Sequence, residues 1–461
     1  MLDNNEKWDE LRNKLFIYPD NLSGVEARFE NRVKREKRKK RTILSSITAF
    51  AASILFVFLI NINPAFANAV SDVPVIGRLA EYVKFDKSLS KAIENEYVQR
   101  LDLVSWDGNN RLLLPYAIAD EKKLILFFQM PEEFEQQPNQ WINIFLKSMK
   151  NSDTGEEVEG YGYSASGLSS EGRDQNFGFI MQDYHFTEGK MPRSIDLEVE
   201  VKIENTLDSE EDVISEKPYD AKSNSSFETM GTFNFHIELE DFVEPKTYEI
   251  NKSYTILDQN IIAEDMKVYP TGTEVNFSFP KENYAFIKGL ELEVVQDNYK
   301  ILKGNINGFS STNDVENTWM RIFIESSYFD APKKQELLIK GVRLLNKDEE
   351  FITVDIDNKT ITPNIEGLEL KQVIKKSDDA TLVFSTQTVN DDNFQMFNRD
   401  YKDTDGNVYR LDSEGTSSYN SQMETLITVK YPQSGKVVLQ RSLAPIIFLD
   451  EPIRIKLPIN D

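Results

Sequence analysis

The stretch TFNFHIELE, residues 232–240, sorts its side chains by parity: Phe233, Phe235, Ile237 and Leu239 fall on one side, Asn234, His236 and Glu238 on the other. A period of two marks a strand with one face in a core and the other in water. The same kind of text recurs as KLILFFQ (123–129), WINIFLKS (141–148), IDLEVEVKI (195–203), TEVNFSF (273–279), WMRIFIESS (319–327) and ETLITVKY (424–431), broken by Gly, Asn, Asp and Pro turns. No long helical pattern separates these segments. From about residue 100 onward the spacing therefore predicts antiparallel sandwiches rather than strand–helix–strand units.

Three loosely similar openings stand out: RLLLPYAIADEKKLILFFQ (111–129), NIIAEDMKVYPTGTEVNFSF (260–279) and GLELKQVIKKSDDATLVFST (367–386). Each is an apolar stretch, a polar turn and an alternating strand. Three alternating strands read as their closures: 233–239, FITVDID (351–357) and PIRIKLP (452–458). The pattern predicts β modules at 100–243, 244–359 and 360–461, with a two-module arrangement left open because the repeat is loose.

Cysteine is absent and histidine occurs twice, as His185 in QDYHFTE and as His236. Disulfides and the usual Cys/His zinc sites are thereby excluded, and stability must come from apolar cores. Imidazole-driven catalysis would have to use one of two residues that both sit in strand text, and His236 is expected on the solvent side. Among 77 acids no pair stands out as an acid–base couple, so no enzyme activity, catalytic residue or cofactor is expected. In DYKDTDGNVYRLDSE (400–414), the donors Asp400, Asp403, Asp405 and Asn407 alternate as in a calcium loop. Counted from Asp403, however, Gly406 is fourth where such a loop needs its glycine sixth, so Asp405-Gly406 reads as a hairpin turn without metal.

Toward the amino terminus the text changes character. SDVPVIGRLAEYVKFDKSLSKAIENEYVQ (71–99) places Ile76, Leu79, Val83 and Phe85 on a short apolar face, which Leu89, Ile93 and Tyr97 continue at helical spacing. A helical segment at 63–99, packed on the first β module, is expected, with Pro64 and Pro74 making its lead-in extended. Residues 42–62 hold no charge and no proline; as a helix they span about 31 Å, the thickness of a bilayer core. Eight Lys or Arg against one acid at 32–41 adjoin this run and place the amino-terminal side in the cytoplasm. Residues 1–41 sum to +4, leaving −28 of the net −24 on the rest, which is expected outside the cell. The bases thus read as a topological and headgroup device rather than a nucleic-acid patch. Both stretches are longer than a cleaved leader uses, so an uncleaved anchor is expected, with Ala65, Ala67 and Ala69 as a candidate proteolytic site.

The tail, 1–41, carries two thin apolar stripes: Trp8, Leu11 and Leu15, then Val25, Phe29 and Val33 after a Ser23–Glu26 capping box. So short a segment builds no core of its own and reads as amphipathic helices that fold on a partner's grooves, with rest on the inner leaflet as the rival.

The run NINPAFANAVSDVPVIGRLAEYVKF (61–85), after a basic flank and one apolar span, resembles membrane-bound anti-sigma factors of the lysozyme-responsive type from Gram-positive bacteria. It also resembles the wider group of single-pass proteins with β-rich ectodomains encoded beside extracytoplasmic-function sigma factors. The likeness covers about residues 30–100 and implies a sigma factor as the partner of residues 1–41, an exterior sensor of an unknown ligand or envelope component, and release by sequential proteolysis. The expected fold class is mainly β: a single transmembrane helix at 42–62, a short helical cytoplasmic tail, and an exterior of tandem antiparallel β-sandwich modules. A membrane-anchored binding or adhesion protein without sigma-factor control is the alternative, and a tethered cell-wall enzyme ranks behind both.

Overall fold

In the computed structural model the residues described are 76–131, 134, 136, 137, 139–169, 178–205, 226–297, 300–304, 311–388, 394–411, 413–432 and 434–458. They are mainly strand, in antiparallel sheets, and fall into two compact units. The first runs to Glu244 and takes in Tyr269–Thr271; the second holds Pro245–Val268 and the chain from Gly272.

Among the described residues the first unit opens with two short helices, α1 (Ile76–Tyr82) and α2 (Lys87–Glu94). Nine strands follow: β1 (Gln99–Asp107), β2 (Asn110–Ala119), β3 (Lys123–Gln129), β4 (Gln140–Asn151), β5 (Tyr161–Ala165), β6 (Leu168–Ser169), β7 (Phe179–Phe186), β8 (Ser194–Asn205) and β9 (Ser226–Glu238). They form two sheets, β1-β2-β3-β7-β5 and β6-β4-β8-β9. Phe128, Tyr184, Ile195, Val199, Phe233 and Ile237 meet between them. Asp120 shapes the β2–β3 turn by accepting the backbone N–H groups of Lys122 and Lys123 at 2.9 and 3.0 Å. Residues 233–239 alternate buried and exposed as their parity demands. Two side chains of β1 also stitch it to β9: Asp107 accepts from Thr232 N at 2.8 Å, and Ser105 Oγ from Asn234 N at 2.9 Å. The neighbouring Gly231 lies so close that a Cβ there would sit 2.8 Å from the Asp107 carboxylate.

The second unit contains two sandwiches. Its strands are β10 (Lys246–Ile256), β11 (Gln259–Val268), β12 (Thr273–Ser278), β13 (Ala285–Gln296), β14 (Lys300–Leu302), β15 (Ser311–Asn313), β16 (Trp319–Ile324) and β17 (Gln335–Asn346). After a 3₁₀ turn at Lys347–Glu349 come β18 (Phe351–Asp355), β19 (Thr360–Thr362), β20 (Leu368–Lys375), β21 (Asp379–Gln387), β22 (Phe397–Asp403), β23 (Val408–Arg410), β24 (Ser413–Tyr419), β25 (Gln422–Lys430), β26 (Lys436–Arg441) and β27 (Ile446–Lys456).

Sheets β10-β11-β12-β16-β15 and β14-β13-β17-β27 enclose one core; β19-β18-β26-β22-β23 and β20-β21-β25-β24 enclose the other. Here the pairing departs from the sequence expectation. Residues 351–357, read as the closure of the second module, belong to the third: β18 pairs with β26, and Ile352, Val354 and Ile356 enter that core. Residues 452–458, read as closing the third, return to the second: Ile339 faces Ile453, Leu337 faces Ile455, and Ile455 and Leu457 join its core. The third sandwich is thus inserted between β17 and β27 of the second. Alternation tells which side of a strand is buried but carries no information about its partner.

Among the described residues no helix is long and apolar enough to cross a membrane. The span expected at 42–62 lies outside them, as do the tail 1–41 and its basic flank 32–41.

Candidate functional site

The partner-binding residues read from the tail, Trp8, Leu11, Leu15, Val25, Phe29 and Val33, and the candidate proteolytic site at Ala65, Ala67 and Ala69, all lie outside the described residues. What is described begins a few residues later, with the helix pair that follows that site.

The pair covers the outer face of the first sheet, opposite the sandwich core, where Tyr116, Ile118, Ile125, Phe127 and Phe179 are buried. Leu79, Val83, Leu89, Ala92 and Ile93 are buried on the helix side. Tyr82 is the clasp. Its ring meets Phe127 edge-on at 6.4 Å and Phe179 at 6.1 Å, and its hydroxyl shares a 2.6 Å hydrogen bond with Ser166 Oγ. Burial pushes the Tyr82 phenol upward. Tyr97 adds a second tie by donating to Ala119 O at 2.7 Å. Phe85, expected on the apolar face, is instead 68 % exposed. Helix α1 ends at Tyr82 and α2 restarts at the N-cap Asp86, whose carboxylate accepts from Ser88 N and Leu89 N at 2.9 and 3.0 Å. That break resets the helical phase, so Leu89 and Ile93 are buried as expected while Phe85 is not.

The same face holds charges. Lys123 Nζ lies 2.8 Å from Asp183, with side-chain exposures of 9 % and 8 %. Burial alone pulls the Lys123 ammonium down, but Asp183 and then Asp86 outweigh it and hold its pKa above the ordinary lysine range. His185 is the cross-strand partner of Lys123. Burial first, then the charges of Lys123 and Lys122, lower its pKa to about 3, so its imidazole is neutral at physiological pH. Sequence reading singled out His185 and passed over Tyr82, Asp86, Lys123 and Asp183. The available signals were a lysine heading the apolar KLILFFQ and an aspartate one residue before KSLSKAIE, where an N-cap belongs.

His236 is exposed on the outer face of β9. Its Nδ1 lies 2.7 Å from Asp196 and 3.4 Å from Ser152 Oγ, while Nε2 lies 2.9 Å from Glu238. A nucleophile relay needs the hydroxyl and the orienting acid on opposite ring nitrogens. Here Asp196 and Glu238 occupy the two ring nitrogens at 2.7 and 2.9 Å, Ser152 Oγ lies on the Asp196 side at 3.4 Å, and the group forms a surface ion cluster. Hydrogen bonding to Asp196, more than to Glu238, raises the His236 pKa.

The 400–414 stretch forms a hairpin through β22 and β23. Asp403 organises it: Oδ1 accepts from Asp405 N and Asn407 N, both at 2.9 Å, and Oδ2 accepts from Asn407 Nδ2 and Tyr409 Oη at 2.8 and 3.0 Å. Gly406 supplies the positive φ of +89° in the turn. The carboxylate that would lead a calcium loop is committed to protein donors.

Residues 37–131 match DUF4179, a domain of unknown function. The DUF4179 segment takes in the apolar run, the helix pair and β1 to β3, three of the five strands of the sheet that the pair covers. A second match, to the family of unknown function DUF5643, spans 245–358, most of the second sandwich and the start of the insertion. Among curated proteins the chain is similar to anti-sigma-V factor RsiV of Bacillus subtilis (strain 168), 42 % identical over 57 residues. That segment is 12 % of this chain and 20 % of the relative, so the match spans one fifth of its length. The DUF4179 and RsiV matches support an anti-sigma-factor-like juxtamembrane region. Among solved structures, a conserved domain protein from Bacillus anthracis aligns over 58 % of this chain and 84 % of its own at 14 % identity, with a TM-score of 0.36. An uncharacterised Listeria monocytogenes protein, solved with glucose, magnesium and calcium, aligns over 70 % of this chain and 29 % of its own at 9 % identity, with a TM-score of 0.12.

Proposed function

We propose that the chain is a transmembrane signalling regulator: residues 1–41 sequester an extracytoplasmic-function sigma factor, 42–62 cross the membrane with the amino terminus inside, and the β sandwiches sense an external ligand. Cutting near Ala65, Ala67 and Ala69 releases the sigma factor, and no enzymatic step belongs to this chain. The observation that carries the reading is the coincidence of the DUF4179 match at 37–131 with the partial likeness to an anti-sigma factor. The stripes of the tail add to it, because thin apolar faces without a core of their own suit a partner's groove.

The test replaces Trp8 and Phe29 with Ala. A central aromatic anchor contributes ~2 kcal/mol or more, so two independent losses weaken binding by a factor on the order of a thousand. The cognate sigma factor's regulon should switch on without external signal, and Ala67 and Ala69 changed to bulky residues should hold it off under inducing conditions. A double variant present at normal level with an unaltered regulon removes the tail as inhibitor and leaves the anchored binding protein.

A further inference from the structure

The inserted third sandwich carries a cleft of about 400 Å3 where β23 and β24, edge strands of its two sheets, come together. Arg399, Arg410, Gln395, Ser413, Glu414 and Thr416 line it. In a chain of net charge −24, arginines readily find acids: Arg100, Arg193, Arg441 and Arg454 are all ion-paired. Arg399 and Arg410 are exposed, and among the described residues neither guanidinium makes a hydrogen bond or an ion pair. Asp400, the cross-strand partner of Arg410, does not pair with it.

Among the described residues one acid lines the cleft, and it is turned toward Gln395. Glu414 Oε2 accepts from Gln395 at 3.1 Å, and Oε1 is closed off from solvent. Burial, only partly offset by Gln395 and Arg399, pushes the Glu414 carboxyl up. Among the described residues the cleft thus presents two guanidiniums in no hydrogen bond or ion pair, with the Glu414 carboxyl drawn toward Gln395, and their planar forks match carboxylate and phosphate oxygens alike.

We propose that this cleft binds a carboxylate or phosphate group borne on a hydroxyl-rich body of monosaccharide size. Arg399 and Arg410 clasp the anion, with the Ser413 and Thr416 hydroxyls beside them. The volume lies within the range of small-molecule sites. The net charge of −24 disfavours anions over the surface as a whole. That such a ligand acts as the external stimulus rests on the proposed regulatory function; that it binds does not.

Isothermal titration of the purified full-length chain with glucuronate and with glycerol 3-phosphate tests the site, with glucose and glycerol as uncharged controls. Saturable binding of at least one anion is expected, with Kd on the order of 1 mM or tighter. The controls should not bind, and Arg399→Gln and Arg410→Gln should each weaken binding at least about tenfold. Which anion binds separates a carboxylated sugar from a phosphate ester. Both substitutions lie at exposed positions, and circular dichroism verifies the fold. No heat from either anion up to about 10 mM, equal binding of the uncharged controls, or unchanged affinity in both variants overturns the proposal. Such a failure counts against the cleft and leaves the test of the tail untouched.

Discussion

His185 makes the first sandwich sensitive to acid. Its pKa is about 3 in the fold against an ordinary 6.5, so below pH 6.5 the unfolded chain takes up a proton that the folded chain refuses. Stability contributed by the neutral imidazole is full above pH 6.5 and is lost progressively as pH falls toward 3. Because the ring is only partly shielded, the loss between pH 7 and 5 should be about 1–2 kcal/mol. His185→Gln should flatten that dependence. Urea unfolding at the two pH values reads it, and identical slopes for the two proteins would refute a buried neutral histidine. At this scale parity was legible: His236 is exposed because Phe233, Phe235 and Ile237 are not. The environment of His185 was not legible, because Lys123, over sixty residues away, reaches it only through sheet pairing.

The helix pair is tied to the first sheet by the Tyr82 ring and hydroxyl and by Tyr97. Truncating Tyr82 to Ala removes both ring contacts and the Ser166 bond. A cost of about 3 kcal/mol is expected, enough to raise the undocked population about a hundredfold. Trypsin cutting at Lys84 and Lys87 tracks that population, provided reclosing outpaces cleavage. Cutting there should accelerate in Tyr82→Ala while the sandwich strands stay protected; unaltered cutting would mean that Tyr82 does not hold the pair. The sequence predicts a helical segment at 63–99, within which the described helices occupy 76–82 and 87–94, and it puts Leu89 and Ile93 on the apolar face, where they are buried. It misplaced Phe85 because a single 3.6-residue phase was carried through the break at Asp86.

At the scale of the whole molecule, strands such as β3, β8, β9 and β25 were visible as alternation while β13, β17 and β26 were not singled out, and the order in which strands pair was not visible at all, since β27 and β18 are equally good strands for either core. If the third sandwich is a true insertion, replacing 347–445 by a short Gly-rich turn should leave the second sandwich folded, because Arg343 already faces Ile446 across the β17–β27 ladder. Deleting 446–458 should instead unfold the second sandwich and spare the third, since Ile455 and Leu457 leave the former's core. Thermal melts and circular dichroism of the two truncations decide the matter; loss of the second sandwich in the first truncation would make both cores one folding unit. The nested order also imposes a timetable on biosynthesis. About 100 residues separate β17 from β27, and at ~5–20 residues per second the ribosome needs about 5–20 s to make them. For that interval one edge of β17, with Leu337 and Ile339, waits without its neighbour, open to the same strand of another nascent chain.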